Sequence, residues 1–119
     1  MSPLPDGTPA RLNDDVKILF TASPLVGHVF PMLPLMHAAR DAGHEVVVAT
    51  GAEMIPDVAR RGFTTWTVGP GFGEILADLN AASAIPAATH EEQLGRAAVH
   101  LFARPSVRRV RDLMPRAVA

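Results

Sequence analysis

Three short apolar runs, VKILFTA (16–22), EVVVAT (45–50) and FTTWTVG (63–69), recur with helix-patterned segments between them. That alternation is the constraint the rest of the chain must satisfy. Short β-branched runs separated by 22 and 12 residues with helical pattern between them do not read as hairpin partners, because a hairpin needs only a tight turn. They read as parallel strands joined by crossovers, a β-α-β-α-β order that implies a right-handed, Rossmann-like parallel sheet with flanking helices. The first two runs are apolar enough to be covered on both faces. The third is less apolar and is expected nearer an edge.

The segments between the strands carry their own punctuation. PMLPLMHAARDAG (31–43) reads as a helix, with Pro31 and Pro34 tolerated near its first turn and Gly43 as a left-handed cap. Met32, Leu35, Met36, Ala39 and Ala42 give it an apolar stripe. MIPDVARRG (54–62) is a second helix closed by Gly62, and GPGFG (69–73) is expected as a loop. Beyond it, EILADLNAASA (74–84) reads as one helix. Thr89 and Glu92 form a capping box opening another through about Ala103, and Pro105 interrupts or restarts it. SVRRVRDLM (106–114) follows, with Val107, Val110 and Met114 at helical spacing.

Residues 1–15, rich in Pro, Gly and Asp, are expected as a flexible tail, leaving 16–119 as an incomplete Rossmann-like domain. Three parallel strands with open edges are a marginal unit, so a fourth strand is expected to follow and the sequence looks unfinished.

Composition narrows the chemistry. With 48% hydrophobic and 19% charged residues, the 119-residue chain is a folding sequence rather than a disordered one. A net charge of −1 argues against a strongly electrostatic nucleic-acid binder. Five Arg against one Asp between Arg104 and Arg116 read as a solvated helix face rather than a polyanion site. The absence of cysteine removes disulfides, zinc–thiolate sites and thiol nucleophiles. No apolar run approaches a membrane span, and the N-terminus lacks a signal-peptide pattern, so a soluble cytoplasmic protein is expected.

In parallel α/β sheets ligands bind outside the carboxyl ends of the strands, which places SPLVGHVF (23–30) where chemistry would occur. The chain carries neither GxGxxG nor GxxxxGK[ST], so the dinucleotide and phosphate-loop readings fail. Gly27-His28 stands out instead. Beside the positive end of the first helix, a place that favours the proton-accepting imidazole, His28 would be a general base at pH 7. The plainer reading is a histidine that only hydrogen-bonds its loop. His37, Asp41 and His44 are spaced as a metal face, but His44 lies past Gly43, and no metal site is assigned. His90 and His100 read as surface residues, and Trp66 as strand packing rather than a sugar platform.

The stretch from Val16 to Thr50, VKILFTASPLVGHVFPMLPLMHAARDAGHEVVVAT, resembles the opening of GT-B nucleotide-sugar-dependent glycosyltransferases. It is most similar to the bacterial enzymes that decorate macrolides, enediynes and aromatic polyketides. The shared features are the strand, the loop with Gly27-His28, Pro31 and Pro34, then Ala-Gly-His (42–44) before VVVAT; RRGFTTWTVGPGF is similar to the family's third strand and following loop. The resemblance covers about residues 16–73 well and the remainder loosely.

The resemblance implies an inverting transferase in which His28 takes the proton of an acceptor hydroxyl. It implies a hydrophobic small-molecule acceptor and a TDP- or UDP-sugar donor bound on a C-terminal domain outside this sequence. The nucleotide sugar is a co-substrate, and neither a cofactor nor a metal is required. Leu25, Val26 and Gly27 beside the base, and Phe72 and Ile75 in the later loop, are the candidate acceptor contacts, with core packing an equal reading for the last two. The carboxylate that in the family partners the histidine is expected on a fourth strand, and Asp112 is not assigned that role. The other reading is a non-catalytic fragment or helper that binds a partner chain. An open sheet edge and apolar surface beyond residue 70 also make self-association an expectation.

Overall fold

A computed structural model describes residues 16–118; the expected tail at 1–15 lies outside the described residues. The strands are β1 (Lys17–Thr21), β2 (Glu45–Thr50) and β3 (Thr64–Thr67). They form one parallel sheet in the order β1-β2-β3, with Leu19 opposite Val47 and Ala49 opposite Trp66. The Rossmann-like reading is therefore borne out, and β3 is an edge strand as expected.

β1 departs from expectation. It pairs only with β2 among the described residues, and its side chains are half-buried or exposed rather than covered on both faces. Full burial falls to β2 alone, whose Val46 to Thr50 are all buried. An apolar run buries only what its neighbours cover, and the outer edge of β1 has no strand beside it there.

Strand alternation divides the core into two layers. Val46 and Val48 pack one way, against Val29, Met36, Met54, Val58 and Phe63. Ala49 packs the other way, with Val68 and Leu113, and Leu19 and Trp66 close that cluster. Helices α2 (Leu33–Asp41) and α3 (Ile55–Ala59) cover the first face. On the second lies α6 (Arg104–Ala117), through Leu113. Each buried Val or Met contributes roughly 1.5–3 kcal/mol by leaving water.

Helix α2 keeps only part of its expected stripe. Met36 is fully buried, while Leu35 is 63% exposed and Leu33 packs against the core in its place. The cause lies upstream. Residues 23–30 are not all loop, because Val26–Val29 form the one-turn helix α1 and Phe30–Met32 a 3-10 turn that leads into α2. Gly43 and Gly62 end their helices at φ of 93° and 87°, the left-handed conformation expected of both.

Helix α4 spans Phe72–Ser83, so the expected loop at 69–73 closes two residues early. Thr89 caps α5 (His90–Ala98), its Oγ1 accepting from Glu92 N–H at 3.1 Å. The capping box is completed one residue back, where Ala88 N–H donates to Glu92 Oε2 at 2.8 Å and holds that carboxyl below the usual range.

Pro105 neither breaks nor simply restarts the helix. Residues Val99–Ala103 form a π turn in which Arg104 N–H reaches Val99 C=O, and α6 continues from it. Proline has no N–H for the carbonyl four residues back and clashes with it, and the wider turn removes both conflicts. Val107, Val110 and Met114 share the expected helical spacing but are exposed; Leu113 is the residue that faces the sheet.

The end of β2 holds the loop after β1. Thr50 is fully buried and its Oγ1–H donates to Ala22 C=O at 2.8 Å. A Cβ on Gly51 would stand 2.6 Å from the Pro24 ring and 3.0 Å from Pro70 C=O, whereas one on Gly27 would meet nothing within 4 Å. Gly51→Ala is thus expected to lower stability by about 1–3 kcal/mol through overpacking. Gly27→Ala, in a helical turn with open space, should be neutral or stabilising by up to about 1 kcal/mol. Urea unfolding midpoints of the two variants check the contrast.

Candidate functional site

The loop that leaves β1 is pinned from three sides at the carboxyl edge of the sheet. Ser23 and Pro24 are buried, Gly51 packs against Pro24, and Arg109 of α6 donates to Ser23 Oγ at 2.9 Å. Burial lowers the pKa of Arg109, although a guanidinium remains charged throughout the physiological range. Asp112, one turn along α6, accepts from Gly69 N–H at 2.7 Å. Its carboxylate is therefore engaged at the turn after β3.

Val29 is driven into the core, and this fixes how α1 presents the residues before it. One residue earlier is about 100° around a helix, so His28 is exposed while Val29 is buried. His28 is the third residue of α1 and sits in its last turn, not ahead of a helix N-terminus as expected. His28 therefore does not meet the positive end of that helix, because the helix starts earlier than the prolines suggested.

His28 faces an apolar cavity of about 340 Å³. Leu25 lines it from the loop, and Phe72, Ile75, Leu76 and Leu79 line it from α4. Leu101 and Phe102 of the π turn form the opposite wall. Four of the six residues singled out from sequence (Leu25, His28, Phe72 and Ile75) thus stand around one space. Val26 and Gly27 do not line it: Val26 is 57% exposed and Gly27 is open to solvent, as Val29's inward turn requires.

Phe72 and Ile75 lie on α4 rather than in a loop. Ile75 serves both readings offered for it, since it is only 4% exposed and also lines the cavity. Sequence reasoning missed Leu76 and Leu79. The signal was present in Phe72, Ile75, Leu76 and Leu79, an i, i+3, i+4, i+7 stripe whose first member was assigned to the preceding loop. Leu101 and Phe102 had no comparable signal, because a π turn shifts the phase of the helix that carries them.

His100, expected at the surface, is instead half-buried and paired with Asp78 of α4. Its Nδ1 lies 2.8 Å from Asp78 Oδ2 and 3.3 Å from Arg104 Nη1. One ring nitrogen cannot donate to a carboxylate and accept from a guanidinium together. The shorter, carboxylate contact takes the Nδ1 proton, which leaves Arg104 to pair with Asp78 at 3.6 Å. The His100 hydrogen bond holds the Asp78 carboxyl below its ordinary range, with Arg104 and Arg108 reinforcing it against partial burial.

Elsewhere, His37 Nδ1 accepts from Arg40 at 3.0 Å and its ring packs at a tilt against Phe63, so it is occupied as a packing residue. Among the described residues no three His, Cys, Asp or Glu stand together as metal ligands would. Trp66 packs in the second core layer under the Arg116 guanidinium, 5.3 Å from its ring, in keeping with the strand-packing reading. No helix among the described residues is long and apolar enough to cross a membrane.

No family model matches the chain. Over 53 residues it is 43% identical to an L-demethylnoviosyl transferase of Streptomyces niveus, a stretch amounting to 44% of this chain and 14% of that protein. It is 42% identical over 40 residues to the elloramycin glycosyltransferase ElmGT of Streptomyces olivaceus, covering 34% and 10% of the two chains. With the aclacinomycin-T 2-deoxy-L-fucose transferase of Streptomyces galilaeus the identity is 37% over 54 residues, or 45% and 12%. The chain thus spans a small part of the length of the curated relatives it matches.

Its structure is similar to the glycosyltransferase SsfS6 of Streptomyces sp. SF2575, at a TM-score of 0.68 and 27% identity over 86% of this chain and 30% of that one. The same enzyme complexed with thymidine diphosphate matches at a TM-score of 0.65, over 86% and 29% of the two chains. The family likeness read from the sequence is therefore borne out: the relatives in sequence include transferases named for elloramycin and aclacinomycin, and the neighbour in structure is a glycosyltransferase.

The Asp78 tie has a consequence for acid stability. A carboxyl whose folded pKa is lowered stabilises the fold above its unfolded pKa of about 4, and that stability is lost as pH falls through the lowered value. The Tm of the wild type is expected to fall more steeply between about pH 5 and 3 than that of Asp78→Asn. Thermal unfolding followed by circular dichroism across that range checks it; parallel slopes would remove the tie.

Proposed function

We propose that this chain is the acceptor-side part of an inverting glycosyltransferase, with His28 as the general base. The observation that carries the reading is the position of His28 on the rim of an apolar cavity at the carboxyl edge of the sheet. An alcohol is a weak nucleophile until a positioned base removes its proton in the transition state. In the proposed step His28 takes the proton of an acceptor hydroxyl while the acceptor's oxygen forms a bond to the anomeric carbon of the donor sugar. The bond from that carbon to the nucleoside diphosphate breaks, its electron pair leaves with the diphosphate, and the configuration inverts.

The acceptor is a hydrophobic natural product. Leu25, Phe72, Ile75, Leu76, Leu79 and Phe102 offer aliphatic and aromatic surface, and the polar groups at the rim are few. The donor is a nucleoside-diphosphate sugar, with thymidine diphosphate favoured by analogy with the ligand of SsfS6. It would be held by a further domain. Val26 and Gly27 act, in this reading, through the shape of α1 rather than by touching the acceptor.

A second reading is favoured by one feature. Val107, Val110 and Met114 form an exposed apolar stripe on α6, the kind of surface a non-catalytic, partner-binding chain presents. The two readings part when the chain is joined to or mixed with the nucleotide-binding half of a relative such as SsfS6 and assayed for sugar transfer. Transfer supports the enzyme; a stable complex without transfer supports the helper.

In the active pair His28→Ala is expected to lower turnover by about 10²–10⁴-fold. Its Tm should match the wild type, since His28 is exposed. Turnover of the variant at the wild-type rate would overturn the assignment.

A further inference from the structure

The apolar cavity lies between two walls, each of which carries an exposed apolar side chain. One wall is α4, with Phe72, Leu76 and Leu79; the other is the π turn, with Leu101 and Phe102. Phe102 is 53% exposed, so the wall it forms is not anchored by its own burial.

The fastening lies behind the cavity. Asp78 is one residue from Leu79 on α4, and His100 is one residue from Leu101 on the π turn. Their side chains meet at 2.8 Å in a second cavity of about 350 Å³, lined by charged and apolar residues alike, where Arg104 also reaches Asp78 at 3.6 Å. One turn further, Arg108 pairs with Glu74 at 3.2 Å. Glu74 and Asp78 are four apart on α4, and Arg108 and Arg104 are four apart on α6 in the reverse order, so the pairs form a two-rung ladder between antiparallel helices. Ile75 lines both cavities and is the partition between them.

The π turn makes this arrangement available. Its extra residue changes the phase of the helix, so that His100 turns to the polar side while Leu101 and Phe102 face the apolar one. The imidazole is only 15% exposed, which distinguishes this tie from the fully solvated ion pairs that contribute little.

We propose that Asp78, His100 and Arg104 are positioning residues that clamp α4 to the π turn and thereby set the width of the apolar cavity, and with it the ring size of the acceptor it admits. The proposal rests on the reading of that cavity as the acceptor site. Releasing the clamp lets Phe102 and Leu101 draw away from Leu76 and Leu79, which favours broader ligands over narrow ones. A purely structural tie would instead weaken all ligands in step with stability.

Fluorescence titration of the chain with two uncharged aromatic alcohols, 2-naphthol and 2-hydroxyanthracene, tests this directly. Asp78→Asn and His100→Gln are each expected to shift the ratio of the two Kd values at least about threefold toward the three-ring probe. The double variant should shift it no further than either single one, because both break the same tie. Phe102→Ala should weaken both probes and locates them in the cavity.

If the clamp variants leave the ratio unchanged while Phe102→Ala still weakens binding, the clamp is overturned and the cavity reading stands. If Phe102→Ala changes neither probe, the cavity reading falls and the clamp falls with it. Arg104→Gln alters an exposed partner and leaves the fold intact should His100→Gln fail to fold. It is expected to move the ratio the same way by less, and no movement counts against the proposal.

Discussion

Complete burial of one strand is the constraint on which the molecule depends. β2 carries five consecutive buried residues, and both core layers and both neighbouring strands are built on it. A buried strand has no freedom to shift register, since a slip of one residue would exchange Val46 and Val48 with Ala49 between two faces of different shape. That rigidity passes to the site through the strand's end. Thr50 hydrogen-bonds Ala22, Gly51 admits Pro24, and the loop bearing His28 is held at the carboxyl edge.

Around this fixed centre the site is assembled from elements of very different stability. α1 is one turn long and stays in place because Val29 is buried, not because four residues make a stable helix. α4 contributes a buried anchor, Ile75, and half-exposed leucines that face the cavity. The π turn is held by a covalent cause, the missing N–H of Pro105, and by polar contacts to α4. The cavity is thus anchored on the sheet side by buried Ile75 and bounded outward by exposed Phe102.

The long second half of the chain joins the two core layers to the site in a way the first half does not foreshadow. α6 inserts Leu113 beneath the sheet, donates from Arg109 to Ser23, accepts at Asp112 from Gly69, and offers Arg104 and Arg108 to α4. An arginine-rich segment that reads as a solvated face therefore has three of its five arginines in hydrogen bonds or ion pairs and a fourth over an aromatic ring. Arg111 is exposed and Arg116 covers Trp66. Charge alone could not distinguish these, because a helix turns through all directions and only the neighbours decide which arginine finds a partner.

The strands, their parallel order, the glycine caps at 43 and 62 and the capping box at Thr89 were legible because each rests on local physics: β-branched runs, left-handed backbone, a hydroxyl three residues from an amide. His28 could be singled out because the loop after the first strand lies at the carboxyl edge of a parallel sheet, whereas Leu25, Phe72 and Ile75 came from the resemblance to glycosyltransferases. What only the tertiary structure decided was orientation. Val26 and Leu35 turn outward while Val29 and Leu33 turn inward, β1 gives up the full burial its composition invited, and His100 meets Asp78 from 22 residues away. Those outcomes depend on which surfaces meet across the sheet and on the phase shift of one widened turn, and no pattern within a single segment records either.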